Sequence, residues 1–182
     1  MTKKRASLPG DLSFRDEIER MIRVNQAGEH GAVQIYKGQI SVLGNSDSAP
    51  LLRHMLDQEK IHLDQFNQMM TSRKIRPTAL SPLWSFMGYA LGAGTALLGK
   101  NAAMACTVAV EEVIDEHYAK QQKKLKNQDP DLHKLITKCR EEEAEHKQTG
   151  LDHGAEQAIA YPVLAKTIKA SAKLAIWLST RI

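Results

Sequence analysis

Little in this chain of 182 residues can staple or bend it. It has two cysteines, Cys106 and Cys139, and no Cys-x-x-Cys pair, so a disulfide framework is excluded and two free thiols are expected. Eleven glycines and six prolines are few for this length, which argues against a turn-rich β-sandwich and for long helices. No large excess of one charge is present either. Twenty-five Lys and Arg against 21 Asp and Glu give a net charge of +4. Such mild basicity suits an anionic membrane surface. Lys120, Lys123, Lys124 and Lys126 have no aromatics among them, so the run reads as a solvated face and nucleic acid is not an expected partner. Gly92-Ala93-Gly94 lacks the third glycine and preceding strand of a dinucleotide fingerprint, and there is no phosphate-binding loop. The segment MTKKRASLPGDLSFRDE has no apolar core, so no secretory signal is expected there.

What is present is helical pattern. With 42% apolar and 25% charged residues the composition is that of an ordinary globular protein, and one domain over 13–182 is expected after a basic tail over 1–12. Ser13 followed by Asp16 and Glu17 signals a helix start, and Ile18, Ile22, Ala32, Ile35 and Ile40 carry the pattern from Phe14 to Leu43. A second helix is predicted from near Pro50 to about Arg73. From Pro77 to Gly99 no residue is charged, but two prolines and four glycines interrupt the run. We therefore expect a buried or membrane-facing helical segment rather than a membrane span. Asn101 is expected to cap a fourth helix reaching about Lys126. A fifth is predicted from the Asp129-Pro130 turn to about Thr149, and an amphipathic last helix from Ala155 to Leu178, with Lys166, Lys169 and Lys173 on it. The expected class is all-α.

A repeat runs through these helices. AGEHGAVQIY at 27–36 and AVEEVIDEHY at 109–118 both place Glu third and Tyr seven residues later. Glu59 with His62 follows the first by thirty residues, and Glu143 with His146 follows the second by thirty-two. The order Glu, Tyr, Glu-x-x-His thus occurs twice, over about 14–75 and 101–150, as expected for a duplicated helical hairpin forming a four-helix bundle. Residues three apart share a helix face, so each Glu-x-x-His presents a carboxylate beside an imidazole. With Glu29 and Glu111 the set becomes four carboxylates and two imidazoles, which matches two divalent cations in charge and suits Fe or Mn. Glu112 competes with Glu111, but only Glu111 keeps the spacing to Tyr that Glu29 has. Glu112 would point about 100° away. Tyr36 and Tyr118 are either donors to the ligands or core aromatics. His117, beside Tyr118, and Asp115, one turn beyond Glu111 and placed to reach an imidazole N–H, are further candidates for that supporting role.

The phrases NQAGEHGAVQIY, DQEKIH, ALGAGTALLGK, ACTVAVEE, EEEAEH and GLDHGAE closely resemble the 5-demethoxyubiquinone hydroxylase family of ubiquinone biosynthesis, over roughly residues 15–182. His30 departs from the pattern, since some relatives carry Tyr there. The resemblance implies a ferritin-like di-iron monooxygenase that uses O2 and an external reductant such as NADH to hydroxylate the ring of a polyprenyl methoxybenzoquinol. It implies iron held by Glu29, Glu59, His62, Glu111, Glu143 and His146, with Glu59 and Glu143 touching both ions. It also implies peripheral attachment to the cytoplasmic face of a bacterial inner membrane or the matrix face of the mitochondrial one. Expected partners are the quinol, the membrane, other ubiquinone-biosynthesis proteins or a lipid-presenting protein, and further copies of the chain. Two rival readings use the same residues: an iron-handling or peroxide-scavenging protein without an organic substrate, and a non-enzymatic membrane-associated helical module.

Overall fold

The computed structural model describes residues 12–125 and 128–182; residues 1–11 of the tail expected over 1–12, and Lys126, lie outside them. Among the described residues there are six α-helices, one 3-10 turn and no strand. The helices are α1 (Phe14–Leu43), α2 (Ala49–Arg73), α3 (Ser81–Leu97), α4 (Lys100–Leu125), α5 (Pro130–Asp152) and α6 (Tyr161–Ser179).

Local chemistry sets most of the ends. The Ser13 hydroxyl accepts the Asp16 N–H at 3.2 Å while the Asp16 carboxylate accepts the Ser13 N–H at 3.2 Å, a reciprocal cap on α1. Pro50 and Pro82 lie in first turns, where a missing N–H goes unnoticed, and Lys74 in the left-handed region closes α2. Asp129 caps α5 through the Leu132 N–H, followed by Pro130.

Three expected boundaries move. Asn101 lies inside α4, because Gly99, at φ +106°, makes the turn just ahead of it. Gly150 does not end α5: it sits where the helix meets α4, and a Cβ there would collide with Val108. The last helix starts at Tyr161 rather than Ala155, after a 3-10 turn over Ala155–Gln157, with Pro162 in its first turn.

The uncharged run holds α3, and two of its glycines, Gly88 and Gly92, have a packing reason. A Cβ on Gly92 would overlap the Ile35 carbonyl, one on Gly38 the Tyr89 carbonyl, and one on Gly88 the Gly31 carbonyl. Missing side chains thus let α3 and α1 lie backbone to backbone. Among the described residues no helix is long and apolar enough to cross a membrane.

Helices α1 and α4 are the inner elements: α1 packs against α2 and α3, and α4 against α5 and α6. One apolar cluster joins Ile22, Phe66, Leu125 and Ile136. A second joins Tyr36, Leu52, Met104 and Val108. On α1, α2 and α4 the conspicuous Glu and His positions fall between the residues of these two clusters, so the polar site is clamped by apolar packing above and below.

Candidate metal centre

Glu29 on α1, Glu59 and His62 on α2, Glu111 on α4, and Glu143 and His146 on α5 are all buried. Glu29, Glu59, His62 and Glu143 each bring one donor atom within 4.8 Å of the others, and so do Glu59, Glu111, Glu143 and His146. Glu59 and Glu143 belong to both sets. His62 Nδ1 lies 3.2 Å from Glu143 Oε1 and 3.5 Å from Glu29 Oε2; His146 Nδ1 lies 3.1 Å from both Glu59 Oε1 and Glu143 Oε2.

These atoms are close but largely not bonded to one another. Both oxygens of Glu59, one each of Glu29, Glu111 and Glu143, and His62 Nδ1 have no hydrogen-bond partner. Buried polar atoms left unpaired cost on the order of 1–3 kcal/mol each, so a cluster of them marks a place for a ligand. A carboxylate-rich set with two imidazoles fits divalent cations such as Fe or Mn.

Electrostatics without a cation points the same way. Burial, reinforced by the charges of Glu143 and Glu59, pushes the Glu29 carboxyl up to about 8, although the nearby His62 imidazole opposes it. Burial and the same two charges hold Glu111 well above the usual carboxylate range. Burial would lower His146, but Glu143 and Glu59 outweigh it and raise the imidazole to about 9; His62 is raised for the same kind of reason. Glu143 is drawn down to about 2 because the bond from His146 and the positive charges of both nearby imidazoles overcome its burial. Protons thus stand in for the missing positive charge.

A surrounding layer orients these groups. The Tyr118 hydroxyl donates to Glu29 and the Tyr36 hydroxyl donates to Glu111 at 3.5 Å, so each Tyr serves the Glu of the other repeat. Of the two open readings, the structure gives both tyrosines the donor's place. Sequence reasoning missed two partners: Glu142 bonds His62 Nε2, and Gln58 Oε1 lies 3.0 Å from His146 Nε2. In the neutral ring such bonds keep the proton on Nε2 and turn Nδ1 toward the site as the atom a cation would meet. Each residue directly precedes the Glu of a Glu-x-x-His, a signal hidden because the repeat was sought in identical letters. The buried Cys139 thiol also lies with Glu29 and His62, one turn before Glu143, although the cysteines were left out of the expected set.

Other candidates lie elsewhere. Asp115 accepts from Arg140 Nε at 2.6 Å and reaches no imidazole, because its helix turns it toward α5's outer side. His117 joins Asn25 and Gln121, not the carboxylates; burial and nearby Lys120 lower it to about 4, which keeps it neutral. Glu112 faces away from the site, pairing with Lys169 and, at 3.8 Å, Lys147. Lys173 pairs with Glu116 at 3.2 Å, so two of the three α6 lysines are engaged with α4 rather than free.

An apolar cavity of about 220 Å³ adjoins the site between α1, α3, α4 and α6. Ala32, Trp84, Leu91, Val110 and Ile176 line it, and Glu29 and Tyr118 form part of its wall. Near it, α3 exposes Leu83, Phe86 and Met87, and α6 exposes Val163, Leu174 and Trp177.

The described residues are all-helical, and their buried, shared carboxylate–imidazole set, beside an apolar pocket, could hold metal ions, as in the helical metalloprotein class. The chain belongs to the family described as ubiquinone biosynthesis protein COQ7, whose model matches residues 16–179. It is 54% identical to the 3-demethoxyubiquinol 3-hydroxylase of Rhodospirillum rubrum, covering 96% of this chain and 83% of that protein. It is 53% identical to the human NADPH-dependent 3-demethoxyubiquinone 3-hydroxylase, mitochondrial, covering 94% and 81%. Identity to the Saccharomyces cerevisiae 5-demethoxyubiquinone hydroxylase, mitochondrial, is 41%, covering 91% and 78%.

Proposed function

We propose that this protein is a di-iron monooxygenase of ferritin-like, duplicated-hairpin fold that hydroxylates the ring of a polyprenyl methoxybenzoquinol in ubiquinone biosynthesis. The observation carrying this reading is the pair of buried donor sets that share Glu59 and Glu143. Glu29, Glu59 and His62 with Glu143 would hold one iron; Glu111, Glu143 and His146 with Glu59 would hold the other. When bound, the irons supply O2 activation: one oxygen atom enters a ring C–H bond and the second leaves as water, with two electrons from an external reductant. A nicotinamide nucleotide suits that role, NADPH being named for the human relative. The chain itself positions. Tyr118 and Tyr36 fix Glu29 and Glu111, the apolar cavity takes the ring and keeps water away, and the neutral His117 with Asn25 adds polar groups to its wall.

The prenyl tail is too apolar to leave a bilayer, so the enzyme works at a membrane surface without spanning it. The exposed Phe86, Leu97, Val163 and Trp177 support this attachment. We place the protein on an inner membrane, bacterial or mitochondrial, with residues 13–182 as one domain. Metal analysis of the purified chain tests the reading, followed by anaerobic reduction and exposure to O2 with a demethoxyquinone. About two Fe per chain and a product heavier by one oxygen atom are expected. Iron that oxidises without forming that product would favour the iron-handling alternative.

A further inference from the structure

The two repeats present matching residues to the site. Glu29 matches Glu111, Glu59 matches Glu143, His62 matches His146, and each Tyr hydroxyl meets the opposite Glu. The match breaks at the outer ring nitrogens. His62 Nε2 bonds a carboxylate, Glu142, whereas His146 Nε2 bonds an amide oxygen, Gln58. Both partners occupy the same repeat position, immediately before the Glu of the opposite helix, so the difference is one of chemistry and not of placement.

That difference acts on a bound cation in two ways. A carboxylate accepting the Nε2–H pushes electron density through the ring toward Nδ1, making the imidazole a stronger donor, and it brings a further negative charge within reach of the ion. An amide oxygen orients the ring equally well but adds no charge. Lys138 lies 3.8 Å from Glu142, and the Glu142 side chain is 28% exposed, so its charge is partly screened but not cancelled. His62 itself is fully buried. We infer that the two cation positions are unequal, with Glu142 making the His62 end the tighter, first-filled one and Gln58 leaving the His146 end weaker. Glu142 and Gln58 are positioning residues. The inference rests on the reading of the six inner residues as metal ligands.

Mn2+ is the suitable probe, because as a hard cation it takes oxygen and imidazole donors and is indifferent to the neighbouring Cys139 thiol. Metal-free chain is titrated anaerobically while free Mn2+ is followed by electron paramagnetic resonance. The wild type should fill two sites with constants at least about tenfold apart. Glu142→Gln should weaken the first constant by about 10- to 100-fold and bring the two together. Gln58→Glu should tighten the second, and the double exchange should swap the order of filling. His146→Ala should keep the tight step and His62→Ala should lose it, which assigns the ends. Thermal melting of each metal-free variant checks folding, and a gain of affinity in Gln58→Glu is not produced by a merely structural defect. Two equal constants in the wild type, unchanged constants in Glu142→Gln, or a tight step surviving in His62→Ala overturns the inference while leaving the metal site intact. No Mn2+ bound to the wild type overturns both.

Discussion

Between α1, α2, α4 and α5 the chain buries four carboxyl groups and two imidazoles, while on α3 and α6 it leaves Phe86, Leu97, Val163 and Trp177 in water. Ordinary folding places such groups the other way round. The interior arrangement is unfavourable because charged groups lose solvent, and here Glu29 and Glu111 respond by holding protons. The outer arrangement is unfavourable because apolar area stays wet. Each region is therefore matched to something outside the chain: cations within, a lipid or protein surface without. Helices α1 and α4 touch both regions, and the cavity between them connects one to the other.

The comparison is most directly broken at the residues both donor sets share. Glu59→Ala should abolish binding of both metal ions, read as metal per chain, together with turnover. Retention of two ions and full activity would show that the shared position is not what holds the pair.

A second expectation separates stability from binding. Glu111→Gln keeps the shape of the protonated carboxyl and removes the need to hold a proton at neutral pH. The metal-free protein should become more stable by on the order of 1–3 kcal/mol in denaturant melts, while metal affinity collapses. A less stable metal-free variant would mean that Glu111 contributes to packing and not to a charge cluster.

The pH dependence follows from the raised groups. Glu29, lifted from 4.5 to about 8, adds stability to the metal-free chain that is fully present below about 4.5 and lost as pH rises through about 8. A cation must displace that proton and the one on His146, raised to about 9. Glu111 and His62 are raised as well, so apparent Mn2+ affinity should climb with pH, by up to about tenfold per unit for each proton released, and keep climbing past about 9. Proton release on binding, measured by calorimetry in buffers of different ionisation enthalpy, checks the count.

For the outer region, Phe86→Asp or Trp177→Asp should weaken binding to anionic vesicles by about tenfold or more and leave the melting temperature nearly unchanged, since these side chains are exposed already. An equal affinity for vesicles would leave the apolar flank to a protein partner. Glu112→Ala should do least: loss of partly exposed pairs with Lys147 and Lys169, below about 1 kcal/mol, with the metal count unchanged. A lost metal ion would move the ligand from Glu111 to its neighbour.

Much of this was legible before any coordinates. The capping residues of α1 and α5 act on backbone groups three residues away, and the Glu-x-x-His spacing acts through one helical turn; both are local. The duplicated order then carried Glu29 and Glu111 into the same set, because two hairpins of nearly equal spacing, thirty and thirty-two residues, bring matching positions to one level. Local pattern also misled. Gly88 and Gly92 of the uncharged run looked like interruptions, and they are contact points against α1; Gly150, just past the expected end of α5, meets α4. Asp115 sits one turn from a ligand, yet Arg140 of the next helix takes it.

The sequence by itself determined the helices, the six Glu and His residues that are buried together, and the uncharged character of α3, since all of these depend on neighbours a few residues apart or on composition. Tertiary structure alone decided that Tyr36 serves Glu111 and Tyr118 serves Glu29, that Glu142 and Gln58 stand behind the imidazoles, that Lys169 and Lys173 are tied to α4, and that a cavity opens beside Glu29. Those pairs lie up to 89 positions apart along the chain, and helical periodicity says which face a residue is on but not which residue of another helix will meet it there.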